Sequence, residues 1–243
     1  IQLILVFFAV SILDNYVRSV DWSLFNHFLT NNLFSLIFTT FCILIVVNGT
    51  NFIDGLNTIV IGYYLIILIC ISVFFKNNDL LLVSEQTIIF FSIILLSLLI
   101  LNSLNLLYLG DNGAYLLGFF VSIILIDLST NFKHLSPFYI VNLLWYPAYE
   151  TLFSIIRKSK HKKSASMPDN LHLHQLIYKK IKNKLNFDTK IINTLSGIII
   201  NIFNLVILVL ATQNYSNSKF QIILLLFSVT LYNFTYIILK NKV

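Results

Sequence analysis

The chain has 243 residues, of which 58% are hydrophobic and 11% charged, with a mean hydropathy of +0.86 and a net charge of +6. That balance lies far outside the averages of soluble domains, so the chain reads as an integral membrane protein. Its positive charge is assigned to anionic lipid headgroups or phosphorylated substrates, and no nucleic acid is needed to explain it.

Apolar runs follow one another at 1–13, 33–47, 58–75, 87–109, 114–131, 137–156, 190–211 and 220–239. Most approach the ~20 residues that cross the hydrocarbon as a helix, and their unbroken apolarity argues against a barrel. The expected fold is all-α: a polytopic transmembrane helix bundle of about eight spans, forming a single integral membrane domain over 1–243. The first run starts at Ile1 without a methionine and lacks the basic segment of a signal peptide. It reads as the remainder of a longer helix in an N-terminally incomplete chain. Cys42 and Cys70 both lie inside apolar runs and imply neither disulfide nor metal.

If the spans alternate, the connections near 48–57, 102–113 and 157–189 share one side with the C-terminus. Twelve of the sixteen basic residues fall there, from Arg157 to Lys190 and at Lys240 and Lys242, against Arg18, Lys76, Lys133 and Lys219 opposite. That side is therefore expected to face the cytoplasm from a plasma (cell inner) membrane.

Three polar clusters share it. In "VVNGTNFIDGLN", residues 46–57, Asn48, Asn51 and Asp54 are spaced by three and line one stripe at a helix end, where Gly55 lets the chain turn. A carboxylate facing lipid costs about 2.5 to 3.5 kcal/mol, so Asp54 should face a polar cleft or a cation. In "YLGDNGAYLLGF", residues 108–119, Asp111 stands between Gly110 and Gly113 before an apolar helix. An ordinary N-cap is the plain reading, and a ligand for Mg²⁺ beside phosphates the functional one. The third cluster is the basic loop 157–189. It opens on dense positive charge, passes through "PDNLHLH", and ends in an amphipathic stretch suited to the headgroup layer, with Leu173, Leu176, Ile177, Ile181 and Leu185 opposite its lysines. His172 and His174 point the same way only if the backbone there is extended. They are candidates for metal binding, acid–base work or phosphate contact.

In this order the clusters resemble the polyprenyl-phosphate N-acetylhexosamine-1-phosphate transferase family (glycosyltransferase family 4), which includes the phospho-MurNAc-pentapeptide transferase and undecaprenyl-phosphate GlcNAc-1-phosphate transferases. "NGTNFIDGLN" is similar to its NxxNxxDGxD block, "LGDNGAYLLGF" to GDxGSxxLGF, and "PDNLHLHQL" to PDRxHxHH. The resemblance implies transfer of a sugar 1-phosphate from a UDP-N-acetylhexosamine to undecaprenyl or another polyprenyl phosphate, with release of UMP, as the first membrane step of a cell-envelope glycan. It further implies Asp54, Asp111, His172 and His174 as catalytic residues. Asp111 would be the ligand for Mg²⁺ (or Mn²⁺), and the histidines would contact the diphosphate. Asn48, Asn51 and Asn57 would bind substrate, as would Asn102, whose spacing to the GD block is one residue short. A homodimer is left open, since no small-xxx-small stripe selects one.

The chain departs from the family pattern in several places. Asn57 stands for the second aspartate of the first block, Asn170 for the arginine of PDR, and Gln175 for a third histidine. "GAY" in place of "GS" points to the branch that starts surface-polysaccharide or glycan-carrier synthesis. The acidic DDxxD segment expected just before Ile1 is not in this sequence, which puts turnover by the chain as given in question. A secondary transporter is the competing reading, since broken helices carrying Asn and Asp also build ion sites. Glu150 is the residue most favourable to it, against an ordinary polar contact within the bundle.

Overall fold

The computed structural model describes residues 2–78, 85–160 and 171–241. The described residues form eleven helices and no strands: α1 (Gln2–Leu13), α2 (Ser23–Leu29), α3 (Asn32–Ile53), α4 (Ile59–Asn78), α5 (Glu85–Ser103), α6 (Gly110–Asn131), α7 (Pro137–Leu143), α8 (Trp145–Lys160), α9 (Leu173–Lys184), α10 (Thr189–Gln213) and α11 (Ser218–Lys240). Five are long and apolar enough to cross a membrane: α3, α5 from Gln86, α6, α10 and α11. Two more, Gln2–Leu13 and Ile59–Phe75, are apolar but shorter.

The chain sets its helix starts with local chemistry. The Asn31 side chain accepts from the backbone N–H groups of Leu33 and Phe34 to open α3, and Asp188 and Asn217 cap α10 and α11. Ser136 caps α7, with Pro137 at the first helical position, where its missing N–H costs nothing.

The apolar run 137–156 is not one continuous span but two helices, α7 and α8, broken at Leu144. Pro147 explains the break: it has no N–H to offer the carbonyl of Leu143 one turn back. That carbonyl instead accepts from the Tyr63 hydroxyl on α4 at 2.8 Å, and the same hydroxyl faces the Tyr146 N–H. A break inside a membrane bundle survives only when the freed backbone groups find partners of this kind.

The basic loop differs from expectation at both ends. Arg157, Lys158 and Lys160 belong to the last turn of α8, where positive charge complements the helix C-terminus. The amphipathic helix forms as α9, but Leu173 and Leu176 are buried in the protein, against a bundle wall made by α10 and α11. Part of the apolar side that the sequence offered to headgroups is thus taken up by protein, while Leu185 at its end stays exposed.

α3 runs through the bundle with α1, α6 and α8 around it, while α4 packs on α5 and α10. At the end where α3 stops, a belt of asparagines closes the turns. The Asn57 N–H donates to Asn193 Oδ1 at 2.6 Å, and the Thr58 N–H to Asn102 Oδ1, also at 2.6 Å. The Asn57 side chain donates to Asn105 Oδ1, the Asn102 side chain to the Leu107 carbonyl, and the Asn201 side chain to the Thr58 carbonyl. At the opposite end Gln221 performs the same service. It donates to the carbonyls of Ala211 and Asn214 and accepts twice from Asn142.

Asn102→Ala strips the Thr58 N–H and the Leu107 carbonyl of their partners in a buried setting. It is expected to lower unfolding stability by about 1 to 3 kcal/mol, read as a lower melting temperature of the purified protein in detergent.

Candidate functional site

The site begins with the last turn of α3. Asn48 and Asn51 lie on one stripe of that helix, and Asp54 caps its end, with its own N–H bonded to the Asn51 carbonyl at 3.2 Å. Asn48 spends its amide hydrogen on the Leu44 carbonyl of the same helix at 2.8 Å. Across from them α6 opens at Gly110, whose φ of +68° favours glycine and whose missing side chain leaves open space. Gly113, by contrast, is covered by the Leu109 side chain.

Asp111 lies exposed in the first turn of α6, where the helix N-terminus favours negative charge. Its Oδ1 accepts from Asn51 Nδ2 at 2.9 Å. Asp54 accepts from the Gly110 N–H, yet its carboxyl is pushed up to about 6, first by burial and then by the negative charge of Asp111. Two carboxylates therefore face each other with an amide holding one of them in place.

The histidines arrive from the far side of the same turn. His172 is the N-cap of α9 with extended backbone, φ −72° and ψ 149°, so its ring and that of His174 stack 5.5 Å apart at 16°. The condition for the two to point the same way is met because the helix starts between them. The His172 ring lies 5.9 Å from that of Phe52. A Cβ added at Gly55 would meet His174 Nε2 at 2.4 Å, so only glycine allows that ring to close on the turn. Phe52 and Gly55 thus meet the histidines, while Asn51 and Asp54 meet Asp111. The end of α3 stands between the imidazoles and the acids, and all three sequence clusters converge on it.

His174 is wholly buried, and neither ring nitrogen has a hydrogen-bond partner. Burial pulls its pKa down to about 4, with the nearby Glu150 charge opposing the shift and His172 adding to it, so the ring is neutral at pH 7. The basic run that the sequence left undivided also resolves. Lys158 Nζ sits 5.7 Å over the Phe52 ring, and Arg157 donates to the Leu171 carbonyl and to the Tyr236 hydroxyl. Asn170, with the rest of 161–170, lies outside the described residues.

The structure places Asn57 and Asn102 within the asparagine belt, both buried. Asn57 Nδ2 and both polar atoms of the Asn102 amide bond other parts of the protein, fixing the turn that carries Asp54. Sequence reasoning missed their partners Asn105 and Asn193, and it read Glu150 as favouring a transporter or as an ordinary polar contact within the bundle, without naming its histidine partner. Glu150 accepts from or pairs with His172 Nδ1 at 2.8 Å and accepts from the Tyr232 hydroxyl. A fully buried carboxylate in an apolar run was itself the signal, because such a group demands a partner.

Among the described residues no group of three His, Cys, Asp or Glu side chains is arranged to cage a metal ion. Mg²⁺ asks for less, since it keeps waters and takes one or two carboxylates with substrate phosphates completing its shell. Asp54 and Asp111 fit that demand, and their mutual repulsion is what a cation between them would relieve.

The model of a known family, Glycosyl transferase family 4, matches residues 1–129, more than half of the chain. The chain belongs to glycosyl transferase family 4. No curated protein and no solved structure matches it. The match runs from α1 into the last turns of α6, so the family-4 segment carries Asn48, Asn51, Asp54 and Asp111. The histidines of α9 lie beyond it and are joined to it by the contacts at Phe52 and Gly55. Membership makes the protein a membrane-embedded transferase of the kind that passes a sugar phosphate to polyprenyl phosphate.

The shifted groups at the site give opposite pH signatures. His174 titrates near 4 folded against an ordinary 6.5, so the unfolded chain binds the extra proton and stability is lost as pH falls through that window. Asp54 titrates near 6 folded against 3.8, so its contribution is gained as pH falls through an overlapping window. In metal-free buffer, thermal unfolding between pH 4 and 6.5 should show Asp54→Asn losing stability on acidification more steeply than the parent. His174→Gln should lose it less steeply, or gain.

Proposed function

We propose that the protein transfers a sugar 1-phosphate, of the N-acetylhexosamine class, from a UDP-sugar to undecaprenyl or another polyprenyl phosphate at the cytoplasmic face of the plasma membrane. An oxygen of the acceptor phosphate attacks the sugar-bearing phosphorus, the bond to the bridging oxygen breaks, and UMP leaves with that electron pair. The product is a polyprenyl diphosphate sugar, the first lipid-linked intermediate of a cell-envelope glycan. The observation that carries this reading is the Asn51 to Asp111 hydrogen bond, with Asp54 close enough for the two carboxylates to repel.

Phosphoryl transfer needs positioning and neutralisation of charge far more than covalent chemistry from the protein. Asp111 and Asp54 would hold Mg²⁺, or Mn²⁺, which when bound neutralises the diphosphate. Asn51 fixes the orientation of Asp111, and Asn48 extends the same polar stripe. Asn57 and Asn102 support substrate binding by holding the turn rather than by offering free amides. His172 would meet the diphosphate from the other side of that turn, with the buried His174 packed behind it at Gly55 and the basic end of α8 beside them.

The acceptor's tail is supported by a second feature. A groove of about 270 Å³ runs deeper between α3, α6, α7 and α8, and its lining, including Phe38, Ile43, Val46, Leu125, Val141 and Leu152, is almost wholly apolar. The basic end of the bundle, where Arg157 to Lys160 and the lysines of α9 gather, fits a cytoplasmic face and anionic reactants.

Membranes carrying the full-length gene product, supplied with radiolabelled UDP-N-acetylhexosamines, polyprenyl phosphate and Mg²⁺, are expected to release UMP and label the lipid. EDTA should abolish the signal, and Asp111→Asn should lower it by about 100-fold or more. Metal-independent transfer, or none from any donor, would remove the reading.

A further inference from the structure

Glu150 is fully buried in α8, an expensive place for a carboxylate unless its oxygens are satisfied. Each oxygen has a different partner. One accepts from the Tyr232 hydroxyl on α11, and the other meets His172 Nδ1 at 2.8 Å, at the start of α9. Tyr232 thereby fixes the carboxylate, and the carboxylate fixes the imidazole. The backbone just before the histidine is held as well, because Arg157 donates to the Leu171 carbonyl and to Tyr236, one turn along α11 from Tyr232. Ring and backbone are thus both tied to the α8–α11 wall.

This arrangement separates the two histidines. A carboxylate accepts and does not donate, so the proton of the His172–Glu150 bond sits on Nδ1 and the tautomer is set. Nε2 becomes the outward nitrogen. His172 keeps 7% of its side chain exposed, and its Nε2 is absent from the buried atoms without partners, whereas both nitrogens of His174 are among them. Only one imidazole nitrogen of the pair, His172 Nε2, reaches the surface of the site.

We infer that Glu150 is a positioning residue that orients His172, so that His172 Nε2 alone contacts the reacting phosphates while His174 backs the turn at Gly55. A carboxylate serving only as glue between α8 and α11 would need no bond to a loop histidine, and Tyr232 alone would satisfy that role. The activity arm of the test rests on the transferase reading, whereas the spectroscopic arm does not.

In the transfer assay, Glu150→Gln is expected to lower kcat by about tenfold to a hundredfold, the cost usual when the carboxylate behind a working histidine is removed. KM for the UDP-sugar should stay nearly unchanged. Adding Glu150→Gln to His172→Gln should cost little beyond His172→Gln alone, because the two act as one unit. Additive losses, or a loss carried in KM, would overturn the inference. Tyr232→Phe removes only the hydroxyl behind the carboxylate and should lower kcat in the same sense but less, which keeps the idea open to disproof if Glu150→Gln does not fold. Independently of activity, ¹⁵N-histidine spectra of the protein in nanodiscs, assigned with His172→Gln, should show Nδ1 of His172 protonated. In Glu150→Leu, which removes every acceptor beside Nδ1, that signature should be lost. A His172 signal with neutral Nε2–H in the parent, or one indifferent to the substitution, would refute the pairing. If no donor supports transfer while the spectra behave as expected, the transferase reading fails and the Glu150–His172 pairing stands.

Discussion

The turn after α3 leaves two backbone N–H groups, those of Asn57 and Thr58, with no helical carbonyl to bond, at the end of a bundle built almost entirely of apolar side chains. Everything at the site depends on Asn193 and Asn102 supplying the missing acceptors. An amide costs less to bring into such a setting than a charge, and it both accepts and donates, so each asparagine closes one segment against another. The result is a turn fixed to the start of α10 and to the connection after α5. Asp54 is carried at a set height because its neighbours are fixed.

The same logic separates the roles of the polar groups. Residues that bind other protein atoms build the frame: Asn57, Asn102, Asn105, Asn193, Gln221 and the Tyr63 hydroxyl at the α7–α8 break. Residues left facing outward or facing each other are those to which the proposed transfer assigns the chemistry: Asp54, Asp111 and one nitrogen of His172. The frame keeps two carboxylates close in spite of their repulsion, a cost a protein retains where a cation or a phosphate is handled. Glu150 belongs to the frame by its contacts and to the chemistry by what it orients.

The sequence made the membrane class, the positions of the apolar segments and the three clusters legible, because continuous hydropathy and polar residues at fixed spacing are local signals. It also indicated that Asn51, Asp54 and Asp111 share an end, since parity of crossings follows from counting. What it concealed was pairing across distance. Asn193 looks like any polar residue in an apolar helix until the Asn57 N–H arrives opposite it, and Glu150 declares a need for a partner without naming His172. The break at Leu144 was readable in principle from Pro147, but whether a proline kinks or interrupts a helix depends on whether a group such as the Tyr63 hydroxyl waits for the freed carbonyl. The α9 face illustrates another limit: periodicity shows that one side is apolar, not whether lipid or protein receives it.

The Gln221 clamp at one end and the asparagine belt at the other leave untouched the groove between α3, α6 and the broken α7–α8 pair, whose lining is almost wholly apolar. Sliding α10 lengthwise past its neighbours would break directional bonds at both caps at once, because Asn193 and Asn201 stand in one and the Ala211 carbonyl in the other. Parting the walls sideways at mid-height exchanges one greasy neighbour for another, and hydrocarbon chains substitute for leucine side chains at little cost. These polar bonds gather at the two ends and leave the groove's apolar lining out of them, so a flexible tail seated there would not have to break the bonds that hold the turn carrying the acids.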